Sequence, residues 1–415
     1  MTSPSWRWSL LSAAPHRLSF FAGMLIVLLS GLWWLLVQLD RVTGWLDISY
    51  AMSPSLTHAA VMTLGFMPLF FAGFLFTAGP KWLSMPAPSA GAVAPALALQ
   101  VVGWSIWLAG AHLHVAVAAG GALLAALGLR TQYARFVRLL LASPAQDKLH
   151  ASAIAVGGLL GTACTAGLAV ATFLEAHDLA SVLVRTALWG FVVVTYGAVA
   201  HRMIPFFTAA ALPAVKVWRP KWILKLMLGV AALEVLAVWL DWAGWGGQTI
   251  WRGLRGTMEL AAGAALIWLA AVWGLVPSLK VRLLAMLHIG FLWLGVAMAM
   301  LGVSQWWWML TGAGTFELGA LHAVTMGYLG SLLLAMVTRV SCGHSGRPLH
   351  ADTLAWAMFC LLQLATLLRV FQPVTGSISG PVLLVISGMW CLVMLVWGGR
   401  LLVWYGQPRV DGKPG

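Results

Sequence analysis

Twelve apolar stretches, separated by short polar or glycine- and proline-containing connections, run the length of the chain. They lie near residues 18–38, 56–79, 91–109, 111–129, 151–174, 181–201, 222–243, 258–276, 282–302, 317–338, 353–371 and 381–404. A helix needs roughly 20 apolar residues to cross the hydrocarbon core of a bilayer, and the stretches have about that length. The pattern predicts an all-α fold, a polytopic transmembrane helical bundle of 12 helices. The narrowest division separates the third stretch from the fourth, where only Gly110 and its neighbours make the turn. No connection is long enough for a soluble domain, so residues 1–415 are expected to form a single integral membrane domain.

Composition agrees. The chain is 61% hydrophobic and 8% charged, with a mean hydropathy of +0.91, more apolar surface than a soluble domain needs. Charge then adds an orientation. Arg41, Arg185, Arg252, Arg255 and Arg369 fall on one side of the alternating loops, and the remaining 19 of the 24 Lys and Arg fall on the other. Cytoplasmic loops carry such an excess, so both termini are expected in the cytoplasm. The net charge of +13 therefore reflects topology. The basic residues line no soluble face with base-stacking aromatics, which excludes a nucleic-acid partner.

Arg7 and Arg17 before the first apolar stretch imitate a signal peptide. That stretch is long and lacks a small-residue cleavage site, so it reads as a retained helix. Trp306, Trp307 and Trp308 at the outer end of the ninth stretch suit an interfacial belt. Cys164, Cys342, Cys360 and Cys391 show no paired spacing, which gives no disulfide or zinc framework.

The candidate chemistry lies in histidines. His58, His201, His288 and His322 sit in or at the edge of apolar stretches, where an imidazole is costly and marks a ligand, a proton path or a substrate site. Orientation sorts them into tiers. His58, His112, His114 and His322 fall near the outer face; His201, His288, His344 and His350 fall near the cytoplasmic face. Two such tiers suit metal or haem centres, because neutral imidazole ligates iron, copper and zinc. His112 and His114 are two residues apart and so point to different helix faces, which ranks them lower. His201 serves equally well as an interhelical hydrogen-bonding group. His16, His150, His177 and His350, at ends and in loops, are expected to be solvated.

Glu234, in the middle of the seventh stretch, is a weaker candidate as proton carrier or ion partner, or else a neutral acid bonded to backbone. Glu259 and Glu317 stand at outer helix starts, where an acid suits the helix dipole.

Four stretches carry a resemblance. They are THAAVMTLGFMPLFFAGFLFTAGPKW from Thr57 to Trp82, RMIPFFT from Arg202 to Thr208, LHIGFLWLG from Leu287 to Gly295, and LHAVTMGYLGSLLLAMVTRVSCGHSGRPL from Leu321 to Leu349. Together they resemble the NnrS family of bacterial membrane proteins, and the last, with HAxTMGxxG followed by MVTRVSxGHSGRPL, is the most specific. The resemblance implies a multi-pass protein of the bacterial inner membrane, surrounded by lipid and binding haem and copper. It also implies nitric oxide or another small ligand as partner, in nitric oxide metabolism, denitrification or protection against nitrosative stress. Mapped by motif, His58, His288, His322 and His344 are the implied metal or haem ligands, with no assignment of metal to residue and no redox partner.

One departure stands out. Where the family's first motif usually reads His-Ala-His-Glu-Met, this chain has Ala60 and Val61 in place of the second histidine and the glutamate. A carboxylate behind a ligating histidine normally orients it, and His112 and His114 at the same level are the residues positioned to compensate. Whether the protein catalyses a reaction is left open. No stretch carries two histidines at i, i+3 or i+4, the spacing that puts two ligands on one helix face. The alternative is a secondary transporter without bound metal. It would have a polar midplane site at Glu234 and helices broken at Pro68, Pro95 or Gly157-Gly158.

Overall fold

A computed structural model describes residues 5–312, 316–372 and 379–413. Among these residues the fold is all helical, and twelve helices are long and apolar enough to cross a membrane. They are α1 (Pro15–Thr43), α2 (Pro54–Leu75), α3 (Ala90–Leu113), α4 (Val115–Ala142), α5 (Leu149–Phe173), α6 (His177–Ala211), α7 (Lys221–Trp242), α8 (Thr249–Val272), α9 (Arg282–Thr311), α10 (Glu317–Ser345), α11 (Thr353–Phe371) and α12 (Gly380–Tyr405). The protein is a multi-pass membrane protein. Within hydrocarbon every backbone N–H and C=O must be satisfied inside its own segment, and only helices of this length do so without a closed barrel.

Local chemistry sets the helix ends. The Ser53, Ser89 and Asp352 side chains accept backbone N–H groups at the starts of α2, α3 and α11. Gly44 and Gly312 close α1 and α9 in the left-handed conformation. The tight turn between α3 and α4 falls at His114, whose extended backbone separates the helices and whose ring Nδ1 accepts the Ala116 N–H. Gly110 has a different task. A Cβ there would lie 2.2 Å from the Ala118 nitrogen, so its lack of a side chain lets α3 and α4 touch beside the turn. α6 runs ten residues beyond the expected end at residue 201 and begins at His177, which is exposed at the helix start as expected.

The expected breaks are absent: Pro95 lies inside a continuous α3 and Gly157-Gly158 inside a continuous α5. Gly158 instead receives the Tyr133 ring. α2 changes pitch. Val61–Gly65 forms a π-helical turn ahead of Pro68, a residue that cannot donate back to Leu64. Further π turns occupy Leu188–Val193 in α6, Ala323–Gly330 in α10 and Met394–Gly398 in α12.

Contacts divide the chain into two compact units. One comprises residues 1–198, 344–347 and 394–415. Its interior holds Trp104, Trp107, Tyr133, Phe136 and Phe191, and Gln132 links α4 to Gln100 of α3 and to the Pro68 carbonyl of α2. The other comprises residues 199–343 and 348–393. There α8 and α9 pack backbone to backbone along glycines. A Cβ on Gly263 would lie 2.7 Å from the Ala299 nitrogen, and one on Gly302 2.7 Å from the Gly256 carbonyl. With no hydrophobic drive between helices in lipid, such small residues are what allow close packing.

Candidate functional site

The histidines sort by what their ring nitrogens already do. His322 lies one turn into α10, and its Nδ1 is 2.8 Å from the Leu318 carbonyl. A carbonyl only accepts, so Nδ1 carries the proton and Nε2 keeps its lone pair. The backbone after it widens at once into the π turn Ala323–Gly330. Arg369 of α11 lies within electrostatic reach; it is itself buried, and its Nη1 has no hydrogen-bond partner.

His288, in α9, is fully buried. Its Nε2 is 2.8 Å from the Thr208 hydroxyl, and that hydroxyl is also 2.8 Å from the Ile204 carbonyl. The single hydroxyl proton goes to the carbonyl, so Nε2–H donates to Thr208 and Nδ1 holds the lone pair. No group bonds Nδ1. Thr208 closes the RMIPFFT stretch and His288 opens LHIGFLWLG, so the fold joins two motifs 80 residues apart.

His58 stacks on Trp34 of α1, with ring centroids 4.0 Å apart and planes at 23°. Three residues later α2 enters its π turn. The HAAVM and HAVTM segments thus share more than letters, since each places a histidine just ahead of a π turn, a feature common at functional sites.

His344 ends α10 against a residue expected to be solvated. His16, at the start of α1, is buried, and the two rings lie 4.1 Å apart. His16 Nδ1 has no hydrogen-bond partner, and Arg17, Lys81 and Arg409 are the charges within reach of the pair. Arg409 also donates to the His344 carbonyl. The sequence signal for His16 was only its place at the edge of an apolar run.

The weaker candidates are placed differently. Both ring nitrogens of His112 are engaged, Nε2 by the Trp33 indole at 2.7 Å and Nδ1 by the Ser49 carbonyl at 2.9 Å. His114 caps α4 and is exposed. His201 Nε2 donates to the Pro220 carbonyl at 3.2 Å. Glu234 accepts from Arg255 at 3.2 Å, and Arg255 also binds Glu259 at 2.6 Å and Asp241 at 2.9 Å. Glu259 is therefore a buried ion-pair partner and does more than complement a helix dipole.

A family model described as NnrS protein matches residues 10–409. The chain belongs to the NnrS family. The match spans all twelve helices and every histidine discussed above. No curated protein and no solved structure matches the chain. Among the described residues no three His, Cys, Asp or Glu side chains cluster as a ready metal cage. The donor sets are single imidazoles and the His16–His344 pair. Haem suits such donors, since its macrocycle supplies four ligands and the protein only one or two. The lone pairs on His322 Nε2 and His288 Nδ1 fit that need, and the buried Arg369 guanidinium suits an anionic edge.

Proposed function

We propose that this protein is a haem-binding membrane protein, also binding copper, that acts in nitric oxide metabolism or in protection against nitrosative stress. The observation that carries the reading is the state of His322. Its Nδ1–H is tied to the Leu318 carbonyl, which fixes the ring and leaves Nε2 as a donor ahead of a π turn. His288 is the second fixed donor; Thr208 holds its tautomer as a carboxylate or carbonyl does in other ligand sets. His58 and His344 complete the motif set, with His16 joined to His344 as a further imidazole suited to copper. When bound, haem would supply an iron that takes a diatomic ligand and exchanges an electron. The chain's own part is to orient the imidazoles, exclude water and offer Arg369 to an anionic edge. The basic side of the bundle is assigned to the bacterial cytoplasm, with both termini there.

The optical spectrum and metal content of the purified protein test the reading. A Soret band is expected, lost or shifted in His322→Ala and in His288→Ala, with copper reduced in His344→Ala. Protein purified from haem-replete cells with no Soret band would refute it. The alternative reading as a metal-free transporter draws its support from the buried charges around Glu234, and predicts substrate flux in vesicles with no bound metal.

A further inference from the structure

The Glu234–Arg255–Glu259 cluster has a charge imbalance that the haem reading does not use. Glu234 of α7 and Glu259 of α8 are 1% and 0% exposed. Arg255, one turn before Glu259, is the cation both carboxyls share, and it also binds Asp241 at the end of α7. Each glutamate gives one oxygen to the guanidinium. The other two, Glu234 Oε1 and Glu259 Oε2, are buried and face no N–H or O–H donor. The two carboxyl groups lie within hydrogen-bonding reach of each other. Two ionised carboxylates in contact repel, and desolvation in the membrane removes the screening. A single proton held between them turns the repulsion into a hydrogen bond and gives both orphan oxygens a partner.

We propose that Glu234 and Glu259 together bind one exchangeable proton within the membrane, and that the proton reaches the aqueous phase past Asp241. With that proton the cluster carries one negative charge overall; loss of it leaves two, and gain of a second leaves none. Asp241 is the carboxylate of the three with substantial solvent contact, its side chain 41% exposed against 2% and 0% for the others. The remaining charged neighbour on α8 is Arg252, which lies over the Trp308 ring and donates to Gln305 of α9. Gln305 in turn donates to Glu317, five residues before His322. Arg252, Gln305 and Glu317 thus form a polar row of their own that leads to the helix carrying a candidate haem ligand, and the proton site depends on no haem.

Infrared difference spectroscopy on the full-length protein in lipid tests this. At neutral pH the wild type should show the C=O band of a protonated carboxylic acid, shifted in D2O. Glu234→Gln and Glu259→Gln should each abolish it, because either change leaves a single buried carboxylate beside the guanidinium, with no second buried carboxylate to share a proton. An ordinary neutral glutamate would lose the band in one variant and keep it in the other, which would overturn the sharing. Absence of the band from the wild type overturns the proposal outright, and that measurement stands even where a Gln variant does not accumulate. Asp241→Asn should keep the band and slow its exchange in D2O; an unchanged rate would overturn the exit past Asp241.

Discussion

Replacing Arg255 by methionine removes the cation from two buried carboxyls while keeping a long side chain in its place. In the wild type the pair needs one proton. In the variant both carboxyls face a low-dielectric interior with no counter-charge, so a second proton must be bound for the fold to persist. Taking a glutamate of ordinary pKa about 4.3 to its neutral form at pH 7 costs about 1.36 kcal/mol for each of about 2.7 pH units, or about 3.7 kcal/mol. That agrees with the 3–5 kcal/mol typical of removing one partner of a buried pair. Loss of the Asp241 contact adds little, because that carboxylate is partly solvated. The sign with pH follows from proton binding. Above about pH 4.3 both unfolded chains have these glutamates ionised, and the folded variant holds one more proton than the folded wild type, so the deficit relative to the wild type grows as pH rises, by about 1.4 kcal/mol per unit. The deficit should therefore shrink to about 1 kcal/mol at pH 5. Unfolding in mixed micelles, followed by tryptophan fluorescence at pH 5, 6 and 7, measures it. The combined variant with Glu234→Gln and Glu259→Gln should recover most of the loss at pH 7. An equal deficit at pH 5 and pH 7, or no recovery in the combined variant, would refute the reasoning.

Gly263→Val should force α8 from α9. A Cβ there lies 2.7 Å from the Ala299 nitrogen, well inside the roughly 3.5 Å of a comfortable contact, and the overpacking should cost about 1–3 kcal/mol, read as a lower midpoint in the same unfolding assay. Gly229→Ala, where a Cβ meets nothing within 4 Å, is the matching control and should leave the midpoint unchanged. At the C-terminal end, the Arg409 guanidinium holds the Asp411 carboxyl down to about 2. Its contribution to the docking of residues 406–411 should be complete above about pH 4, the ordinary aspartate range, and be lost as pH falls towards 2. The protection factor of the Val410 amide, which bonds the Ser345 carbonyl, should fall over that interval, and at neutral pH in Arg409→Ala.

Apolar run length alone determined the twelve helices, because each must satisfy its backbone internally within hydrocarbon and no other element of that length does so. His58, His288 and His322 were visible for a related reason: an imidazole in or at the edge of an apolar run is costly and stands out, whereas His344 was singled out by the motif resemblance. What the tertiary structure decided is which groups meet those residues. The tautomer of His288 depends on Thr208, 80 residues away, and the environment of His344 depends on His16 at the far end of the chain. His16 read as solvated because position in sequence says nothing of what covers a helix start. The π turns after His58 and His322 were equally hidden, since a one-residue widening leaves hydropathy unchanged. Glu259 looked like a helix-dipole acid until α7 brought Glu234 to the same guanidinium. Burial within a span follows from composition, but charge pairing follows from which helices are neighbours, and only the packing of the bundle fixes that.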